Sequence, residues 1–291
     1  MIVETRSQIP AAAEARAFLR RLRANRNART GLVIVTAVIA AALFAPLLAP
    51  ADPTTVDLGN TWMPPSSDAT LGTDAVGRDV LSRILYGARV SLLIAFSVLV
   101  ITLPVGTLLG MYAAWFGGKV DAWIMRTADV VLGFPELILV ILIAAMLGPG
   151  KLTVVIALSM VWWPGVARLA RALVLALRSE LYIDAALMAG TPTHRILLRH
   201  LLPNITPPLL VRASVGVGFI MMAEATLSFL GVGVQEPEPS WGGMIRDGLG
   251  ELYTDPHLAF AGSLALGITL IGFNLLGDGL RDLLDPKERQ P

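Results

Sequence analysis

The sequence predicts an all-α polytopic membrane protein with six transmembrane helices. Three observations carry this expectation. Only 15% of the 291 residues are charged and 55% are hydrophobic, whereas an average soluble domain is roughly 25% charged. The apolar residues lie in runs long enough to cross a ~30 Å hydrocarbon core at 1.5 Å per helical residue. Lys and Arg are concentrated in alternate connecting segments, as the positive-inside rule requires of a multi-pass chain.

The elements follow in order. Residues 1–30 read as a cytoplasmic basic tail, with Arg6, Arg16, Arg20, Arg21, Arg23, Arg26 and Arg29. The first span is 31–50, "GLVIVTAVIAAALFAPLLAP". It is too long for a signal-peptide core and has no small-residue cleavage site, so it reads as an uncleaved anchor. Residues 51–89 form an extracytoplasmic loop rich in Pro, Gly and acids. A five-helix core occupies 90–277, with spans at about 90–112, 124–147, 152–173, 208–230 and 258–277. Spans three and four each hold a proline, Pro135 and Pro164, which membrane helices tolerate when neighbours satisfy the freed backbone. A second outer loop covers 231–257, and residues 278–291 are a cytoplasmic tail. With both termini inside, the inner side holds 18 of the 23 Lys and Arg residues and the outer side 5.

Composition and motifs exclude several functions. A net charge of +1 gives no case for nucleic-acid binding. With no Cys there is no disulfide, thiolate metal site or Cys nucleophile. A phosphate-cradling G-x-x-x-x-G-K-[ST] loop is missing. Lys119 and Lys151 have Ala113 and Ala145 where the first glycine belongs, and Lys287 lies in a charged tail. An intramembrane hydrolase would need paired Asp, a Ser with His or Lys, or an H-E-x-x-H metal helix. His194, His200 and His257 all fall outside the spans, and the seven-residue spacing of Asp129 and Glu136 finds no partner acid on a second span.

Residues 184–204, "DAALMAGTPTHRILLRHLLPN", are too polar to span yet join two spans. Residues 178–189 contain good helix formers, and Gly190 is placed as a left-handed stop. Thr191 is expected to cap a second helix with Pro192 at its first position. That helix is expected to end at Pro203. At 100° per residue it would gather Leu197, Leu198, Leu201 and Leu202 on one side, and Arg195, Ile196, Arg199 and His200 on the other. The residues alone leave two readings open: an amphipathic helix on lipid headgroups, or a docking element for a cytoplasmic partner.

The spacing Asp184-Ala185-Ala186, three residues, Gly190, nine residues, then His200-Leu201-Leu202-Pro203 resembles the EAA loop of ABC-transporter permeases. Asp stands for the usual Glu, and His200 stands where many families have Ile. "LGTDAVGRDVLSRILYGARVSL" (71–92), "AEATLSFLGVGVQEPEPSWGGMI" (223–245) and "NLLGDGLRDLLDP" (274–286) resemble the C-type permease subunit of dipeptide, oligopeptide and nickel importers. This resemblance implies a type I ABC importer permease fold in the bacterial cytoplasmic membrane. It implies a transport subunit that is not itself an enzyme and carries no cofactor or metal. Its partners would be membrane lipid, a second homologous permease, two cytoplasmic ATP-binding subunits and an extracytoplasmic substrate-binding protein. It makes Asp184, Ala185, Ala186, Gly190, Arg195, Arg199, Leu202 and Pro203 an ATPase-coupling loop within 178–204. The cargo would be small peptides. A nickel or glutathione-like cargo is the alternative, and an ATPase-independent channel is the rival from another class.

Ionisable residues inside spans mark function by default because they are expensive there. Glu136 is placed either on the translocation path or as a structural cap after Pro135. Glu224 reads as a contact ordering the "SFLGVG" turn, with the path as its other role. Arg168 and Arg171 are expected to snorkel to headgroups or to steady the helix leading to Asp184. Gly106, Gly110, Gly216, Gly218 and Ser214 suit close helix packing.

Overall fold

A computed structural model describes residues 20, 22 and 24–284. Arg6, Arg16, Arg21 and Arg23 of the basic tail, and Lys287 at the other end, lie outside the described residues. Helices account for the architecture, and no strand occurs among the described residues. Five helices are long and apolar enough to cross a bilayer, and a bent helix pair would make a sixth crossing.

Helix α1 (Arg26–Leu43) starts at Asn25, whose carboxamide oxygen accepts from the Ala28 N–H at 2.9 Å. The same carboxamide donates to Asp282 near the far end of the chain. The helix breaks at Phe44, and a short turn, Ala45–Leu48, completes the expected first span.

Helix α2 (Val80–Phe116) has 37 residues and begins ten residues before the expected 90. Asp79 caps it by accepting from the Ser82 N–H at 2.7 Å. Ser82 and Arg83 look like loop residues in sequence, but they are buried against the preceding segment. The loop is therefore 51–79. At 1.5 Å per residue α2 is roughly 55 Å long, so it projects well beyond a ~30 Å core.

The expected third span is not one straight helix. α3 (Gly118–Leu132) and α4 (Glu136–Leu147) meet at 89° across Gly133–Pro135. Pro135 is the N-cap of α4, where a missing N–H deprives no helical carbonyl. Helix α5 (Lys151–Arg178) packs along α2. A Cβ on Gly110 would lie 2.2 Å from the Ala167 carbonyl oxygen, and one on Gly106 would lie 2.7 Å from that of Trp163. Only glycine permits this approach, as the small-residue spacing anticipated.

Helix α6 (Leu181–Met188) is short, and the chain turns at Gly190. One helical turn, Thr193–Arg195, and a π-helical segment, Ile196–Leu201, then run into α7 (Leu202–Phe229). The expected stop at Pro203 does not occur. The π segment ends with the Leu202 N–H on the Leu197 carbonyl, and α7 restarts there. Pro203 thus sits in a first helical turn, where proline is tolerated. Helix α8 (Trp241–Leu249) and α9 (His257–Leu284) close the fold, with α9 against α1 and α7. α9 continues seven residues past the expected span end at 277, so of the expected tail 278–291 only 285–291 lie outside the described residues.

Two apolar clusters hold the bundle. The larger includes Ile94, Val98, Leu158, Ile220, Leu227 and Trp241. The smaller lies where α2, α5 and the 181–201 hairpin meet, and includes Met111, Ala170, Val174, Ile183, Ile196 and Leu201.

Candidate functional site

The hairpin of residues 181–201 is gripped on one side and open on the other. Ile183 is its anchor from α6, fully buried with Ile196 and Leu201. Leu181 and Met188, on the same short helix, are 83% and 89% exposed. Asp184 and Ala185 are exposed and Ala186 is half-buried. The turn is a Schellman motif: the Gly190 N–H reaches the Leu187 carbonyl and the Thr191 N–H reaches the Ala186 carbonyl, each at 3.0 Å. Gly190 takes φ 71°, a left-handed value costly for a residue with a Cβ. Thr191 does not cap the next helix; Pro192 is its N-cap, with no side-chain hydrogen bond.

The face expected from 100° periodicity is also revised. Ile196, Leu197 and Leu201 are buried, while Leu198 is exposed and Leu202 half-buried. In π winding a residue bonds the one five positions away, which brings Ile196 over Leu201. Arg195, Arg199 and Pro203 remain exposed. At the neighbouring end of α5, Arg178 donates to the Ala114 carbonyl at 3.2 Å and lies over the Trp115 ring at 5.5 Å.

The opposite end carries a charged knot that the sequence reading did not single out. Asp74 accepts from the N–H groups of Val76 and Arg78 at 3.0 and 2.9 Å, and from Arg78 Nε at 2.6 Å. Arg83 donates to Glu236 at 2.8 Å and to the Pro53 carbonyl at 3.1 Å. Arg78 also pairs with Glu236. Burial works against the charge of Arg78, but its hydrogen bonds and attraction to Asp74 and Glu236 outweigh that and hold the guanidinium above its ordinary value. These contacts tie loop 51–79, the start of α2 and loop 231–240 into one lobe. Trp241 sits beneath them, donating to the Ile84 carbonyl at 3.1 Å. The available signal was the run "LGTDAVGRDVLSR" facing "QEPEPSW" in the other long loop. Lys151, excluded from a phosphate loop by its motif, pairs with Glu238 of the same loop at 2.6 Å.

Charges within the bundle pair in a graded way. Arg171 and Asp121 form a two-pronged bridge at 2.6 Å on each arm, and Arg168 pairs with Asp129. These four line an open hollow of about 420 Å³. Both arginines thus bond acids on α3, which steadies α5 on its way to Asp184. Glu136 accepts from the Trp162 indole N–H at 2.6 Å. Glu224 is fully buried and accepts from Ser91 and Ser228 at 2.7 and 2.8 Å. The Ser228 hydroxyl in turn accepts from the Val234 N–H at 3.1 Å. Glu224 is thus hydrogen-bonded through Ser228 to the "SFLGVG" turn.

Comparison with known proteins gives a consistent result. Residues 106–290 match the family described as binding-protein-dependent transport system inner membrane component. Residues 15–65 match the N-terminal transmembrane domain of oligopeptide transport permease C. The dipeptide transport system permease protein DppC of Alkalihalophilus pseudofirmus is 39% identical, over 94% of this chain and 90% of that one. The oligopeptide transport system permease protein OppC of Bacillus subtilis is 40% identical, over 93% and 88%. The glutathione transport system permease protein GsiD of Pectobacterium atrosepticum is 39% identical, over 94% and 91%. Among solved structures, a chain of the MetNI methionine ABC transporter in inward-facing conformations superposes with a TM-score of 0.54 at 20% identity, over 71% of this chain and 97% of that one; that likeness concerns the fold. The chain belongs to the binding-protein-dependent transport system inner membrane components, the permease subunits of ABC importers, in their dipeptide and oligopeptide C-type branch.

Proposed function

We propose that this permease imports di- and oligopeptides and that the hairpin within residues 178–204 is where a cytoplasmic ATP-binding subunit docks. The observation that carries the docking role is Leu181 and Met188, two large apolar side chains left open on a hairpin whose other face is fully packed. Burying each in a partner groove is worth about 1.5–3 kcal/mol. Asp184, Arg195 and Arg199 are exposed alongside and would set the orientation of docking. The hairpin end faces the cytoplasm in this reading, supported by the 18 to 5 partition of basic residues. The assembly would comprise this chain, a second homologous permease, two ATPases and an extracytoplasmic binding protein.

In operation, ATP closes the ATPase pair, the pair displaces the hairpin, and the two permeases rock between inward- and outward-open states. The shift can be no larger than the ATPases' differential affinity for those states. The peptide cargo rests on the named activities of the relatives. A glutathione-like cargo is the second reading, favoured by the equally similar glutathione permease relative. The test is affinity purification of this chain from its own membrane, followed by reconstitution with whatever co-purifies. A second permease with two ATPases, and ATP-driven uptake of labelled dialanine, is the expected result. A chain that purifies alone in gentle detergent would overturn the docking role, and uptake of glutathione without dialanine would overturn the peptide cargo.

A further inference from the structure

The acids of α3 and α4 meet arginines in a regular series until the third. Asp121 pairs with Arg171 and Asp129 with Arg168. Glu136 has only the indole N–H of Trp162. Arg212, on α7, lies over the face of that same indole, 5.2 Å from its centroid. Among the described residues no carboxylate lies within 4.0 Å of Arg212, and no group hydrogen-bonds it.

One acid and one base thus share a tryptophan without joining each other. A direct ion pair would be the inexpensive arrangement for charges inside a bilayer, where each isolated one costs at least about 2.5–3.5 kcal/mol. Glycines leave room for the arginine and the indole. A Cβ on Gly165 would come within 3.3 Å of the Arg212 guanidinium, and one on Gly216 within 3.1 Å of the Trp162 ring. Phe219, one turn further along α7, has its ring centroid 6.5 Å from that of Trp162 and is 55% exposed. Glu136 is itself exposed on this chain. Lipid against that face would strand the carboxylate, so the face borders water or protein.

We propose that Glu136 and Arg212, set about Trp162, form a station on the translocation path that holds the two charged ends of a peptide. Arg212 takes the α-carboxylate in a forked contact, Glu136 takes the α-ammonium, and the exposed Phe219 meets the side chains. Glu136, 2.6 Å from the indole nitrogen, and Arg212, 5.2 Å from the ring centroid, bring one acid and one base to a single indole. Both termini are charged near neutral pH in any peptide, so the station reads a zwitterion and ignores sequence. This proposal rests on the peptide-import reading above.

The test titrates the purified complete transporter with dialanine, N-acetyl-dialanine and dialanine amide, following the tryptophan fluorescence that Trp162→Phe removes. Dialanine is expected to change that signal, and blocking either end to weaken its binding at least about tenfold, since a charged hydrogen bond carries roughly 1.5–3 kcal/mol. Arg212→Gln should erase the distinction between acid and amide only, and Glu136→Gln the distinction between free and acetylated amine only. Arg212→Lys should restore most of the former, which a merely structural arginine would not predict. End-blocking effects that are the same in every variant, no Trp162-dependent signal at millimolar dialanine, or loss of the second permease from the Arg212→Gln complex would overturn the station. A transporter that takes up dialanine yet shows no end preference refutes the station alone. One that takes up glutathione and not dialanine refutes the cargo, while a Trp162 signal from glutathione, also a zwitterion, would leave the station standing.

Discussion

Asp74 and Asp184 are acids at opposite ends of the bundle in opposite circumstances. Asp74 is almost inaccessible, with two backbone N–H groups and an Arg78 bond on its oxygens and Arg83 Nε at 3.5 Å. Asp184 is exposed on a hairpin held by Ile183, and no side-chain partner for it occurs among the described residues. The lobe end spends its charges internally and fixes its own shape. The hairpin end fixes its backbone with a Schellman turn and a packed inner face, and leaves charges and apolar groups outward. Acids and arginines that already bond one another have little left to offer a partner, so under the docking proposal the open hairpin end is where assembly energy would be available.

Substitutions at the two ends should therefore fail differently. The largest stability loss is expected from Arg83→Ala, which strips partners from Asp74 and Glu236 and empties a buried volume. Breaking a fully buried ion pair from one side costs about 3–5 kcal/mol. Glu236 is 39% exposed and Arg78 stays beside both acids, so the charge loss is a fraction of that, added to the emptied volume. Thermal unfolding of the purified transporter should move down; an unchanged transition would break the contrast. Next comes Gly190→Val. No atom lies within 4 Å of the Cβ site, so the cost is only that of a left-handed β-branched residue, about 1–3 kcal/mol and local. Uptake should collapse while the amount in the membrane holds, and undiminished uptake would count against the hairpin's role. Ser228→Ala should cost about 1–3 kcal/mol, because buried Glu224 and the Val234 N–H each lose a partner, read as a modest drop in thermal midpoint. Asp184→Lys should leave that midpoint in place and reduce co-purification of the ATPase; equal recovery would remove Asp184 from the interface. Smallest of all, Gly190→Asn should transport nearly as the parent does, since Asn tolerates the left-handed region; a loss as deep as that of Val would point to side-chain bulk instead of backbone conformation.

Much of the fold was legible because the bilayer imposes one length and one polarity on every span. The six apolar runs, the stop at Gly190 and the close packing at Gly106 and Gly110 all express single-residue rules. What escaped depended on partners distant in sequence. Arg83 reads as a loop charge until Glu236, 153 residues away, is placed beside it. Arg168 and Arg171 read as snorkelling or as steadying their helix, and the acids that α3 brings across to them could not be read from their own segment. The hairpin face was misassigned for a different reason. Ideal 100° periodicity assumes an α ladder, and the π segment at Ile196–Leu201 rotates the register and lets Pro203 pass as a first-turn residue. No local motif announces such a segment.

That continuity turns the helix from Thr193 to Phe229 into a lever. Its 37 residues measure roughly 55 Å at 1.5 Å each, so one degree of tilt about the hairpin sweeps the far tip by about 1 Å. Arg212 lies almost at mid-length and travels about half as far, while Glu136 rides on a separate helix bent 89° away from its neighbour. At the proposed station a tilt of a few degrees would therefore widen or narrow the space around Trp162 by more than the tolerance of a hydrogen bond, so grip and release would alternate with the angle of one helix.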